Sequence, residues 1–130
     1  MTRAPSDNED PVLRATRTSR SLLDRFPPHA TCLPILNETE EADHLDALDD
    51  WVTWLTDRYQ LDHRVIPPCW TEHGALLEEL SALRSSWLHS YQGSATGDAP
   101  LNWHADFWHT RQRLTDWAAR TGCRPGEHRP

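Results

Sequence analysis

Two pairs of residues carry the chemistry in this chain. Cys69 and His73 stand four apart in Pro67-Pro68-Cys69-Trp70-Thr71-Glu72-His73, and Cys123 and His128 stand five apart close to the last residue. Thiolate and imidazole are the donors of structural zinc sites, which take four of them in a tetrahedron. On a helix, an i, i+4 spacing puts Cys69 and His73 on one face with Cβ atoms roughly 6 Å apart. Cys123-x4-His128 crosses a turn, at a spacing zinc modules use. A thiol at a helix N-terminus also has its thiolate favoured by the helix dipole, which helps a metal displace the proton.

Plainer readings compete. The chain has eight His (29, 44, 63, 73, 89, 104, 109 and 128), so some Cys/His pairs arise by chance. Buried Cys is common without metal, and a residue as near the terminus as His128 tends to fray. His104 and His63 are the substitute ligands if His128 fails. A Cys69–Cys123 disulfide is geometrically open, but a reducing compartment disfavours it.

For the two pairs to meet, the intervening chain must fold back on itself. From Glu38 to Asp50, seven of thirteen residues are acidic, and Asn37 with Glu40 resembles a capping box. Leu45, Leu48, Val52, Leu55 and Tyr59 then recur at helical spacing, predicting a first helix over about 38–60. Its acids are a solvated face. Pro67-Pro68 opens a second helix over about 69–91, with the stripe Leu76, Leu80, Leu83, Trp87. The turn-rich loop from Gly93 to Pro100 leads to a third, N-capped by Asn102 and carrying Trp103, Phe107, Leu114 and Trp117 on its apolar face. Gly122 ends it, and Pro125-Gly126 bends the tail so that His128 returns toward Cys123. The fold reading is all-α: a three-helix, up-down-up antiparallel bundle over 38–130. With the second and third helices antiparallel and each about 30 Å long, the two half-sites meet at one end.

Residues 1–37 read as a disordered N-terminal arm. They carry five Arg (3, 14, 17, 20 and 25) against four acids, hence a net charge of +1, and show no periodicity. Leu22, Leu23 and Phe26 are an apolar exception, and Cys32 has no ligand-like neighbour. The whole chain has 130 residues, a net charge of −7 and no Lys, which argues against general binding of nucleic acid or anionic membrane. No apolar run is long enough to span a bilayer, and no secretory signal is legible. A cytoplasmic location follows as the expectation, and there Cys/His sets serve more often as metal ligands than as disulfides.

No catalytic set stands out. Ser85 and Ser86 lack a base, and His104, Asp106 and His109 read as a polar helix face. Trp54, Trp70 and Trp108 fall off the apolar stripes, which marks them as a possible partner surface, since Trp is enriched among binding hot spots. The alternative is that a small bundle with seven Trp uses wide apolar faces.

The run Trp51-x-x-Trp54-Leu55, Arg58-Tyr59 and Ile66-Pro67-Pro68-Cys69-Trp70-x-x-His73 resembles a Trp-rich domain-of-unknown-function family of actinobacteria and their mobile elements. Further marks are Glu79-Leu80-x-Ala82-Leu83, Trp103-His104-x-Asp106-Phe107 and Arg113-Leu114-x-x-Trp117. The resemblance covers roughly 48–128. It implies an accessory role near conjugative-transfer functions and names no reaction. The reading is a zinc-stapled helical protein-interaction or accessory module, with an enzyme the less favoured reading. The alternative is a metal-dependent enzyme or regulator in which His104 or Asp106 replaces a ligand and leaves an open position.

Overall fold

Helix α1 spans Glu38–Arg58, and its start is written in the sequence. The Asn37 side chain accepts a hydrogen bond from the Glu40 N–H at 2.8 Å, and Glu40 Oε1 accepts one from the Asn37 N–H at 3.2 Å. Glu38, Glu40 and Glu41 add negative charge at the positive end of the dipole. Asn37→Ala removes the acceptor for the Glu40 N–H and is expected to cost about 1 kcal/mol, read as a lower urea midpoint. The helix end carried no glycine signal. Gln60 takes a left-handed φ of 52°, and the Leu61 N–H reaches back to the Thr56 carbonyl at 3.0 Å, closing the helix as a Schellman turn. Leu61 is buried there.

The computed structural model describes residues 31–124 and 126–129. Of the expected N-terminal arm, residues 1–30 lie outside them, and the described remainder includes a 3-10 turn at Leu33–Ile35. Helices α2 (Gly74–Ser90) and α3 (Ala99–Thr121) complete an all-α bundle, and no strand occurs among the described residues. α3 begins before Asn102, its expected cap. Pro100 fits its first turn, where a missing N–H costs nothing, and the Asn102 N–H already bonds the Asp98 carbonyl at 3.0 Å.

α2 and α3 run antiparallel. Trp103 Nε1–H donates to the Leu83 carbonyl at 3.2 Å, and Arg113 pairs with Glu79 at 2.7 Å. α1 crosses this pair with contacts that advance in the same direction along α1 and α2. His44 bonds Ser81 at 2.9 Å, while the Trp51 and Trp54 rings lie 5.9 and 5.3 Å from Trp87. The connector between them therefore runs lengthwise along α3. Tyr59 packs on Phe107 at 4.9 Å, Val65 shares a groove with Trp108 and Asp116, and His73 arrives at Cys123. The up-down-up alternation holds for α2 and α3, and this long connector returns the chain between α1 and α2. Leu61, Val65, Ile66 and Trp70 are buried on the way, so it adds to the core it crosses.

The stripe Leu76, Leu80, Leu83, Trp87 is buried throughout, as are Trp103, Phe107 and Leu114. Trp117 is not; it lies at the flank with the Arg120 guanidinium 4.9 Å above its ring, and Ala118 takes its inward place. No helix among the described residues is long and apolar enough to cross a membrane.

His44 is buried, and its pKa is held below the ordinary 6.5, first by burial and then by the Arg84 charge. The unfolded chain therefore binds the proton more readily than the folded one. Stability is complete above pH 6.5 and falls as the pH drops below it toward the folded value. His44→Gln is expected to flatten that fall, measured as the difference between wild-type and variant melting temperatures from pH 7.5 to 5.

Candidate metal centre

Cys69 and His73 reach the site from a turn that precedes α2, which corrects the expectation that they ride on the helix itself. Trp70–Glu72 is a 3-10 turn, and His73 is extended (φ −122°, ψ 112°), so α2 proper starts at Gly74. The Trp70 N–H bonds the Pro67 carbonyl at 3.0 Å and the Glu72 N–H bonds the Cys69 carbonyl at 2.9 Å. Burying Trp70 in the core pulls the turn tight and breaks the helical run. The i, i+4 spacing still brings the ligands together, with Cys69 Sγ and His73 Nε2 3.4 Å apart.

The other half-site hangs from the end of α3. Gly122 adopts a left-handed φ of 71°, which favours glycine, and a Cβ there would also press on the Arg129 side chain at 3.1 Å. The Cys123 N–H donates to Thr121 Oγ1 at 3.1 Å. Arg124 and Glu127 then exchange backbone bonds of 2.9 and 2.8 Å, closing the tail into a tight turn. That turn sets His128 Nδ1 3.5 Å from Cys123 Sγ.

The halves meet. His73 Nε2 is also 3.5 Å from Cys123 Sγ, and the His73 and His128 rings lie 5.1 Å apart. The ligand atoms of Cys69, His73, Cys123 and His128 all fall within 4.8 Å of one another, a Cys2His2 group able to hold a metal ion.

The thiols differ in a way the helix dipole does not predict. Cys123 is the more acidic, brought down to about 6, chiefly because the Arg129 N–H donates to its sulfur at 3.1 Å. As a neutral thiol it can instead donate to the Arg129 carbonyl at 3.6 Å. Cys69 is pushed up, first by burial and then by its neighbour Cys123.

The remaining candidates disperse. His104 is held between Tyr59 Oη at 2.8 Å and the Pro100 carbonyl at 2.6 Å, near the start of α3. At 1.5 Å per residue that is roughly 28 Å along the chain axis from Cys123. Asp106 is exposed on the same stretch and His63 is exposed in the connector, so neither they nor His104 joins the group. Trp54 and Trp70 are 9 % and 5 % exposed and belong to the core, against the expectation of a shared aromatic surface. Trp54 turns inward because it packs on Trp87 and on Tyr59, with centroids 5.3 and 6.2 Å apart. Of the three, Trp108 is exposed, at 58 %. Sequence reasoning had no signal for the Arg129 backbone donor, because a main-chain contact leaves no residue type behind. No protein-family model, curated protein or solved structure matches the chain.

Proposed function

We propose that this domain is a zinc-stapled protein-interaction or accessory module, in which Cys69, His73, Cys123 and His128 bind one structural zinc. The observation that carries the reading is the spacing of the donors. Bonds of about 2.3 Å to sulfur and about 2.0–2.1 Å to nitrogen at a tetrahedral angle put S and N about 3.6 Å apart. Three of the four S···N separations are 3.4, 3.5 and 3.5 Å, and all four donor atoms lie within 4.8 Å of one another. A tetrahedral set of two thiolates and two imidazoles suits zinc over harder cations. Four protein donors fill its coordination and favour a structural role over hydrolysis.

The interaction half of the reading rests on Trp108, beside a groove of about 430 Å³ lined by Val65, Arg111, Gln112, Thr115 and Asp116. The resemblance to a Trp-rich family of mobile elements supports an accessory role in conjugative transfer. The zinc reading is tested by elemental mass spectrometry of protein purified without added metal. About one zinc per chain is expected, lost in the Cys69→Ser/Cys123→Ser double variant. Metal-free wild-type protein that takes up none on dialysis against zinc would end it.

A further inference from the structure

We infer that Cys69 and Cys123 are a reversible oxidation site, which a peroxide closes to a disulfide. The disulfide also expels the metal, a consequence that rests on the zinc reading. The two thiols belong to segments that bracket the α2–α3 hairpin, and the fold sets both against one imidazole. His73 Nε2 lies 3.4 Å from Cys69 Sγ and 3.5 Å from Cys123 Sγ, and the two sulfurs are within 4.8 Å of each other.

A disulfide holds its sulfurs at about 2.05 Å, so the pair must close the remaining gap. The backbone on each side allows it. Cys69 stands in the turn before α2, and Cys123 follows the left-handed Gly122 that ends α3. Neither lies inside an α-helix, so each can shift without breaking a helical ladder. Both residues are half-buried, which leaves them open to a small oxidant. The third cysteine, Cys32, is exposed before α1 and joins no such group.

The chemistry balances with hydrogen peroxide as the oxidant. One thiolate attacks a peroxide oxygen; the S–O bond forms, the O–O bond breaks, and hydroxide leaves to be protonated to water. The second thiolate attacks the sulfenic sulfur; the S–S bond forms, the S–O bond breaks, and a second hydroxide leaves as water. The sulfurs together lose two electrons and the peroxide gains them. A dithiol reverses the bond by exchange. A disulfide sulfur is no longer a thiolate donor, so oxidation removes two ligands at once and leaves only His73 and His128. A covalent link between the same two segments replaces the ion, so the hairpin stays closed while the metal departs. In a reducing compartment such a bond is transient and suits a sensor more than a permanent brace.

The test uses the full chain with Cys32→Ser, so that a single thiol pair remains. Zinc-loaded protein and the same protein after chelation are each treated with hydrogen peroxide and mapped by non-reducing peptide mass spectrometry, while a colorimetric chelator follows the ion. A Cys69–Cys123 cross-linked peptide, lighter by two hydrogens, is expected in both samples. The loaded sample should release about one zinc per disulfide and rebind it after dithiothreitol. Adding Cys69→Ser should abolish the cross-link and leave Cys123 as a sulfenic acid that dimedone captures. Unreacted thiols, sulfinic acids without a cross-link, or links only between two chains would overturn the inference whether or not zinc binds. Zinc that stays bound to the cross-linked chain would overturn the expulsion. A chain that takes up no zinc yet forms the cross-link upholds the thiol pair and ends the zinc reading alone.

Discussion

On the proposed zinc reading, stripping the metal with a chelator is expected to lower the melting temperature by about 15–30 °C. The size follows from linkage: a site about a thousandfold saturated contributes about 4 kcal/mol. In a domain of this length each kcal/mol moves the midpoint by roughly 4–8 °C. The effect is large because the four donors come from two segments that bracket the α2–α3 hairpin. Cys69 and His73 precede α2, while Cys123 and His128 follow α3. Far-UV circular dichroism melts with and without chelator measure it, and superimposed curves would contradict it. The single variants should rank. His128→Ala should lose least, because His128 is exposed on the tail and water can take its place at the metal. Cys123→Ser should lose most, since Cys123 touches both His73 and His128 and receives the Arg129 N–H.

Trp51→Ala is the second large loss, about 3–5 kcal/mol. Trp51 is 2 % exposed, and its ring lies 6.4, 5.9 and 6.5 Å from Trp54, Trp87 and Trp103, one on each helix of the bundle counting its own. Truncation opens a cavity where all three helices meet, and none can close it without moving the others. Trp108→Ala removes as many atoms from a side chain 58 % exposed and should change stability by no more than about 0.5 kcal/mol. Urea midpoints at constant slope compare the two. Equal losses would mean that Trp108 is part of the core.

The legible parts of this fold are those decided by local rules. The capping box at Asn37, the stripe from Leu76 to Trp87 and the left-handed Gly122 were each readable, because caps, periodicity and positive φ depend on neighbours within a turn or two. The meeting of the two Cys/His pairs was readable as well, since antiparallel α2 and α3 require it. The connector was not. Whether Pro67 to His73 is helix or 3-10 turn depends on Trp70 finding a place in the core, which periodicity does not encode. Trp54 and Trp70 were misread for the same reason. An aromatic residue off a stripe is buried whenever a neighbouring element leans over it, as Trp87 and Tyr59 do over Trp54. The partition of acidity between Cys69 and Cys123 escaped because one backbone N–H outweighs the dipole.

The position of the metal ligands also orders events as the chain folds. Each Cys/His pair is local, four or five residues apart, whereas Cys123 and His73 are separated by 50. A metal ion can therefore be held loosely by one pair while α2 and α3 are still finding each other. The second pair arrives only when that helical hairpin has closed, since the ligands bracket it on both sides. Full coordination then reports completion of the hairpin, and an ion with a slow ligand exchange would trap the closed form. The rate of tight metal uptake should be limited by helix docking and not by encounter with the ion. On the proposed zinc reading, the metal would act as a latch that is set last.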